Sequence, residues 1–265
     1  MQKSISICFL IFSFGFTWRV AAQNTNYELK DNGAGVMVEV FDENFTDENR
    51  YNFNNHVFKV DRSFNYKYVH ITTQGDTLLF KYTQEGWGFT PKTDTNAIKN
   101  LEIFVEYGNP MYEEDPDYNQ TVLVYKLDQS RYVSLSGVIE NEGNVWMHPP
   151  RDDYFTILEL NPFPYIKFTE KKWNWKLSVG EEWGDERWKT WEGRVKLNYD
   201  YQIIGAEDLQ TPLGTLPCTV VTSSAKSKLG QSSLTAYFNK EYGFVRLDYT
   251  NIDGSQTKLW LENVE

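Results

Sequence analysis

The chain has 265 residues, a formal net charge of −11 at pH 7, and a content of 40% hydrophobic and 16% aromatic residues. An acidic surface repels phosphate backbones and anionic lipid headgroups, so the charge disfavours binding to nucleic acids and to anionic membrane surfaces. The length is sufficient for a sizeable hydrophobic core, in one large β domain or two small ones.

The first 22 residues have the pattern of a secretory signal peptide. Lys3 gives a positive start, an apolar run extends over residues 5–16, and Val20-Ala21-Ala22 places small residues before a cleavage point. An apolar run of about 12 residues is shorter than the roughly 20 that a membrane-spanning helix needs. We therefore predict cleavage near Ala22, with an uncleaved anchor as the alternative. The mature protein, residues 23–265, is then exported, periplasmic or secreted, soluble and without a membrane span.

Strand-and-turn patterning dominates the first half of the mature chain. Alternation over Phe64–Thr72 places Phe64, Tyr66, Tyr68 and His70 on one face of a strand. The other segments in this half are assigned from β-branched and aromatic runs bounded by turn residues. They are the strands Thr77–Thr83, Leu101–Tyr107, Thr121–Leu127 and Tyr132–Ile139, a loop at Tyr107–Asn119, and a tight turn at Asn141–Asn144.

The second half continues this pattern with one interruption. Tyr154–Leu160 is predicted as a strand that ends at Asn161-Pro162-Phe163-Pro164, and the polar segment Glu181–Glu192 is predicted as a short helix laid over a sheet face. The last four strands follow one another with short turns, which predicts an antiparallel meander. The remaining strands are Trp173–Val179, Arg194–Ile204, Leu216–Ser224, Ser233–Phe238, Phe244–Thr250 and Thr257–Asn263.

These elements predict a mainly β protein. We expect one large, curved antiparallel sheet, a half-barrel or open barrel, with one or two short helices or loops across it. Residues 23–265 are predicted to form a single β-rich domain, and a weak seam near residues 140–144 is the alternative boundary. A curved sheet with this many aromatic residues has an apolar concave face that can hold a ligand.

Tryptophans mark the first candidate site. Six of the eight that follow residue 22 lie between Trp146 and Trp191. Three interpretations stay open: packing in the core of a curved sheet, the lining of a pocket for a lipid-like or other apolar ligand, and a flat platform for a sugar ring. For the ligand-binding interpretation, the predicted lining consists of Trp146, Trp173, Trp175 and Trp183.

A second candidate is the segment that follows Trp146. It places His148, Arg151, Asp152 and Asp153 around Pro149-Pro150, whose rings stiffen the backbone. Such a segment is either a functional loop with fixed polar side chains or a structural corner in which Arg151 pairs with a nearby acid.

No motif predicts a catalytic residue, a metal site or a cofactor. The chain lacks GxSxG, P-loop and GxGxxG sequences, and its three histidines do not have metal-ligand spacing. The acids of Glu181–Glu186 beside Trp183 look only superficially like a glycosidase site. Asp115–Asn119 imitates the start of a calcium loop, but Gln120 replaces the required glycine. Cys218 lies in an apolar, β-prone run and is predicted to be buried.

The C-terminal strands also resemble a known group of proteins. The sequence contains Thr211-Pro212-Leu213-Gly214-Thr215-Leu216-Pro217-Cys218, then Leu234-Thr235-Ala236-Tyr237-Phe238, then Tyr242-Gly243-Phe244-Val245-Arg246-Leu247 and Tyr249. Over residues 211–265 these motifs resemble periplasmic proteins of unknown function whose sheets are similar to the lipoprotein-carrier (LolA/LolB-like) fold. The resemblance implies a strongly curved sheet whose concave side covers a hydrophobic cavity, and hence a carrier of apolar ligands. It transfers no catalytic residue.

The leading prediction is therefore an exported, non-enzymatic envelope protein that binds a lipid, a lipidated partner or another apolar ligand. The first alternative is a glycan-binding or glycan-cleaving protein that uses tryptophan platforms. The second alternative is a structural or assembly component that uses exposed sheet edges or aromatic patches, with another envelope protein as its partner. The sequence leaves the oligomeric state open.

Overall fold

The structure is a computed structural model of the chain. It describes residues 55–108, 120–128, 130, 133–151 and 153–265, and the backbone of residues 27–31 and 37–41. The predicted signal peptide and the segment Asp115–Asn119 lie outside the described residues. No helix in the described part of the chain is long and apolar enough to cross a membrane.

One antiparallel sheet of 14 strands makes up most of the protein. Strands β1 (Tyr27–Asp31) and β2 (Met37–Phe41) form a separate two-stranded sheet. The large sheet contains β3 (Ser63–Ile71), β4 (Thr77–Thr83), β5 (Gly86–Pro91), β6 (Asn100–Val105), β7 (Thr121–Leu127), β8 (Val133–Glu140), β9 (Asn144–Met147), β10 (Tyr165–Lys167), β11 (Lys172–Val179), β12 (Val195–Thr211), β13 (Gly214–Ser227), β14 (Gly230–Asn239), β15 (Gly243–Thr250) and β16 (Gln256–Val264).

The strand order shows how strongly the sheet is curved. Its main path runs β10-β9-β8-β7-β6-β3-β16-β15-β14-β13-β12-β11, and β4 and β5 branch from the end of β3. The two outermost strands, β10 and β11, are consecutive in sequence, and only residues 168–171 join them. The two ends of this path therefore lie next to each other without pairing, and the sheet has the shape of an open barrel. The predicted fold class is confirmed.

The inner face of this sheet carries the aromatic core. In β3 the side chains of Phe64, Tyr66, Tyr68 and His70 are buried, as the alternation of the sequence predicts. The consecutive strands β13 to β16 pair in order as the predicted meander. Aromatic residues of β11 and β12 face each other in register, which pairs Trp173 with Tyr201 and Trp175 with Tyr199.

Two predicted elements differ from the structure. The predicted strand at Tyr154–Leu160 is a 3-10 helix spanning Asp153–Leu160. Its apolar residues recur three apart, at Tyr154, Ile157 and Leu160, which suits a helix with three residues per turn better than a strand. The predicted helix at Glu181–Glu192 is a short 3-10 turn at Glu181–Trp183 followed by a tight turn.

Candidate functional site

An interior cluster of six residues brings together three of the side chains that the sequence singled out: Trp146, His148 and Trp175. Strand β9 carries Trp146 and runs into His148, the 3-10 helix contributes Glu159, and the segment after that helix contributes Phe163. The cluster is completed by Trp175 of β11 and Tyr199 of β12. The Phe163 ring lies in the middle, with its centroid 4.7 Å from the His148 ring, 5.8 Å from Trp146 and 5.3 Å from Trp175.

Three of the four predicted lining tryptophans are buried. Trp146 contacts Trp175 edge-on with centroids 5.8 Å apart, and Trp173 stacks on Tyr201 at 5.3 Å. Trp183 is half-buried against the core. None of the four lines either of the two cavities described below. Their role in binding a ligand stays a prediction.

The predicted polar loop lies beside the interior cluster. His148 is buried, and the guanidinium of Arg151 lies 5.7 Å from the ring centroid of Trp183. Asp153 begins the 3-10 helix with a φ of 49°, and its carboxylate accepts a hydrogen bond of 2.7 Å from the hydroxyl of Tyr82. Asp152 lies outside the described residues. The segment therefore brings His148 and Arg151 to the cluster and directs Asp153 elsewhere.

A buried acid–base pair occupies the interior cluster. Glu159 is 0% and His148 4% exposed, and His148 Nε2 lies 3.3 Å from Glu159 Oε1. Burial raises the pKa of the Glu159 carboxyl to about 8, although the charge of Arg151 opposes this rise. Burial, reinforced by Arg151, lowers the pKa of the His148 imidazole to about 3. Glu159 was not among the predicted site residues, because it lies in an apolar run that was predicted as a strand.

An open cleft lies at the mouth of the concave side, and we call it the His70 cleft. Its cavity volume is about 220 Å³. Aromatic and aliphatic walls come from Phe89 of β5, Tyr154 and Ile157 of the 3-10 helix, and Trp188 of the tight turn. The other lining residues are polar or charged: His70, Thr72, Thr73, Arg187, Asp253 and Ser255.

Ring stacking fixes the walls of the His70 cleft. Phe89 stacks on His70 with centroids 4.3 Å apart and planes 15° apart, and Trp188 stacks on Trp87 at 5.9 Å. The guanidinium of Arg187 lies 3.4 Å from the centroid of the Trp87 ring. Arg187 also forms an ion pair with Asp185, which balances its charge. The ring of Phe89 remains 37% exposed, so an apolar surface is presented to solvent.

A chain of hydrogen bonds forms the floor of the same cleft. His70 Nδ1 lies 3.1 Å from the hydroxyl of Tyr154, which in turn bonds to the hydroxyl of Thr257. Asn251 donates to the same Thr257 oxygen at 2.9 Å. Burial lowers the pKa of His70, so the ring is neutral at pH 7. The floor is therefore polar, and the side chains of this hydrogen-bond chain carry no charge.

A second cavity of about 280 Å³ lies on the outer face of β15 and β16. Leu209 of β12 lines one side of this cavity, and Arg246, Lys258 and Trp260 line it from β15 and β16. A bulge between Ile203 and Gly205 turns the end of the β12–β13 hairpin toward this face. This outer groove does not communicate with the predicted site residues.

Catalytic and metal chemistry find little support in the described residues. No group of three or more His, Cys, Asp or Glu side chains in that part of the chain could hold a metal ion. Cys218 is buried, and burial raises the pKa of its thiol to about 11, so it is a poor nucleophile at pH 7. In the acidic segment Glu181–Glu186, the Asp185 carboxylate forms an ion pair with the Arg187 guanidinium.

Comparisons with known proteins give only distant structural likenesses. No protein-family model and no curated protein matches the chain. A solved structure of a protein described as a candidate lipoprotein of Parabacteroides distasonis is 11% identical, with a TM-score of 0.45 over 79% of this chain and 97% of that one. A candidate exported protein of Bacteroides fragilis with a YmcC-like fold is 12% identical, with a TM-score of 0.41 over 82% and 99%.

The hypothetical lipoprotein YmcC of Escherichia coli is a third such structure. It is 8% identical to this chain, with a TM-score of 0.34, over 77% of this chain and 84% of its own. These proteins are described as lipoproteins or as exported. A specific likeness to the lipoprotein-carrier fold stays a prediction.

Proposed function

We propose that this protein is an exported, non-enzymatic envelope protein that binds an apolar group, such as the acyl end of a lipid or of a lipidated partner, in the His70 cleft. The observation that carries the proposal is the open aromatic wall at the mouth of the curved sheet. Phe89 and Trp188 form this wall, and Tyr154 and Ile157 close the cleft behind them.

The dimensions of the cleft limit what enters it. Pockets for drug-sized ligands typically enclose about 300–1,000 Å³. The His70 cleft, at about 220 Å³, suits a single ring or a short acyl segment instead of a whole lipid. The rest of a larger ligand would stay outside, so the protein would hold its partner by one end.

The polarity of the cleft supports an uncharged contact surface. His70 is neutral, and Arg187 is paired with Asp185, so Asp253 is the one lining residue of the described part whose charge has no ion-pair partner. An apolar group that covers Phe89 removes its exposed surface from water, at about 25 cal/mol per Å². The predicted export, the predicted single β-rich domain and the C-terminal resemblance to periplasmic proteins with sheets similar to the lipoprotein-carrier fold agree with this proposal.

Native mass spectrometry of the exported protein, purified from its host without detergent, tests the proposal first. We expect a discrete adduct of low mass that is lost on denaturation. A titration with 1-octanol, followed by tryptophan fluorescence, then measures binding to the cleft that contains Trp188. A clean apo mass together with no fluorescence response to 1-octanol would end the proposal and favour a structural or assembly role.

Two phenylalanines provide a matched pair of variants for that titration. Phe89→Ala removes the exposed cleft wall, and Phe168→Ala removes a ring that is 44% exposed and outside the cleft. We expect the octanol affinity to fall about tenfold in the first variant, because about 1.5 kcal/mol of apolar contact is lost, and to stay unchanged in the second. Equal losses in both variants would place the binding elsewhere.

Glycan binding is the second candidate, and the polar floor of the cleft favours it. An exposed ring beside hydroxyl and carboxylate groups can stack on a sugar and bond to its hydroxyls. Glycan cleavage by the usual mechanism needs two facing carboxyl groups about 5–9.5 Å apart. Asp253 is the one carboxylate among the described lining residues, which leaves the cleaving version without support. Retention on a glycan array that Phe89→Ala abolishes, with no response to 1-octanol, would select this candidate.

A further inference from the structure

The strongest unexplained feature of the interior is the pair formed by His148 and Glu159. Neither oxygen of Glu159 has a hydrogen-bond partner within the described parts of the chain, and both lie beyond the reach of solvent. A buried ionised carboxylate without hydrogen-bond donors costs several kcal/mol, so the protonation state of Glu159 needs an explanation. The pair lies in the interior cluster and takes no part in the His70 cleft.

The hydrogen bonds of His148 determine where its proton lies. Its Nδ1 is 2.8 Å from the carbonyl oxygen of Pro149. A carbonyl oxygen only accepts, so Nδ1 carries a hydrogen and Nε2 of the neutral ring is an acceptor. Nε2 is the atom that faces Glu159 Oε1 at 3.3 Å. Two acceptors that face each other repel unless one proton lies between them.

We propose that His148 and Glu159 bind one proton between them, and that this proton keeps the interior cluster closed. The fold is most stable where the pair holds one proton, and it loosens when the pair gains a second proton or loses the first. Two locations of the single proton are conceivable, on the carboxyl group or on the imidazole. The neutral form avoids placing two full charges in a dry, aromatic surrounding, and it is therefore favoured.

The neighbouring groups support the neutral form. Three charged or titratable groups of the described residues act on the pair or contact it: Arg151 of the loop between His148 and Glu159, Tyr199 of β12, and Tyr125 of β7, whose hydroxyl donates to the backbone carbonyl of His148. The cation of Arg151 repels an imidazolium. The Tyr199 hydroxyl has no hydrogen-bond partner in the described structure and stays protonated, because burial raises its pKa. Trp146, Phe163 and Trp175 contribute uncharged rings.

The two shifted pKa values define the pH window. In the unfolded chain, the ordinary pKa values are 4.5 for Glu159 and 6.5 for His148, and in the folded chain they are about 8 and about 3. Between pH 4.5 and 6.5 the pair holds one proton in the folded and in the unfolded chain, so it adds no pH dependence to the free energy of unfolding. Above pH 6.5 the unfolded pair holds fewer protons than the folded pair, and stability falls until about pH 8. Below pH 4.5 the unfolded pair holds more protons than the folded pair, and stability falls as the pH decreases to about 3.

Denaturant midpoints of the full exported protein, measured from pH 3 to 9, test the proposal. The wild-type midpoint should show a plateau with a decline on both sides. Glu159→Gln should remove the decline in stability at alkaline pH and keep the decline at acid pH. His148→Asn should remove the decline at acid pH and keep the decline at alkaline pH. Glu207→Gln changes an exposed carboxylate and serves as the control, with both declines retained. Loss of neither decline in the two pair variants would overturn the proposal.

A direct measurement of the proton needs no variant to fold. In protein labelled with ¹³C at glutamate side chains, NMR should show one protonated carboxyl group at pH 7 that ionises near pH 8. Assignment comes from its loss in Glu159→Gln or, if that variant does not fold, from its contact with the His148 ring. A Glu159 carboxylate that is fully ionised at pH 7 would overturn the proposal.

Discussion

The interior cluster and the His70 cleft are both built from aromatic rings around a histidine and a tyrosine, but only in the cleft does the tyrosine hydroxyl have hydrogen-bond partners among the described residues. In the cleft, the Tyr154 hydroxyl connects His70 with Thr257. In the interior cluster, the Tyr199 hydroxyl and both oxygens of Glu159 have no partner among the described residues. The cleft is open to solvent, and the cluster is sealed by ring-to-ring contacts.

This difference shows why a density of tryptophans is a poor guide to a binding surface. The tryptophans of β9 and β11 pack against one another and stabilise the sheet where its two ends meet. The cleft forms where the β4–β5 hairpin, the 3-10 helix and the tight turn at Asp185–Lys189 approach without filling the space between them. A site of this kind depends on incomplete packing, which no single segment of sequence encodes.

The largest expected effect contrasts one ring from each region. Trp146→Ala empties a fully buried volume, and we expect a loss of about 3–5 kcal/mol in the free energy of unfolding. Phe89→Ala removes a partly exposed ring, and the loss should be about 1 kcal/mol or less. Denaturant midpoints measure both values, provided that the dependence of the unfolding free energy on denaturant concentration is unchanged. Similar losses in the two variants would remove the distinction between core and cleft.

A sharper contrast comes from the two tyrosine hydroxyls. Tyr154→Phe breaks the link between His70 and Thr257 and leaves buried polar atoms unpaired, so a loss of about 1–3 kcal/mol is expected. Tyr199→Phe deletes a buried hydroxyl that makes no hydrogen bond to any of the described residues, so stability should be unchanged or higher. The same denaturant assay applies. Destabilisation by Tyr199→Phe as large as that by Tyr154→Phe would mean that Tyr199 has a partner, such as a buried water.

The smallest expected effect concerns the rim of the cleft. Arg187→Gln breaks an exposed ion pair with Asp185 and a contact with the Trp87 ring. Exposed interactions of these types contribute about 1 kcal/mol or less each, so the thermal midpoint should move by only a few degrees. Affinity for 1-octanol should stay within about twofold, because the apolar wall is intact. A large loss of affinity would assign the cation a direct role in binding.

The architecture could be predicted because its signals are local. Alternation along β3 predicted which side chains are buried, and short turns predicted the meander from β13 to β16. Tyr154–Leu160 was predicted as a strand because five of its seven residues are apolar, which fits a short buried strand as well as it fits the three-residue repeat of a 3-10 helix. Strand β5 was missed because glycines at positions 86 and 88 break its pattern.

The candidate site was harder to predict because its parts are distant in sequence. His70, Phe89, Tyr154, Trp188 and Asp253 come from five separate segments, and only the strand order brings them together. The sequence marked the segment from Trp146 to Asp153 as a candidate loop, and the role of its polar residues stays a prediction. Glu159, which faces His148, was not singled out. No known sequence motif pairs a histidine with an acid eleven residues further along an irregular segment, so the contact could not be predicted from spacing.

The pairing of β16 with β3 has a consequence for how the chain folds. In the middle of the sheet, Val264 lies opposite Phe64, across 200 residues of sequence. Contacts of such separation form slowly, because a long loop must close before they stabilise anything. Until β16 docks, β3 and β15 are both open edges with unpaired N–H and C=O groups. Strand β16 therefore joins two half-sheets and covers the edges at which partly folded chains would aggregate.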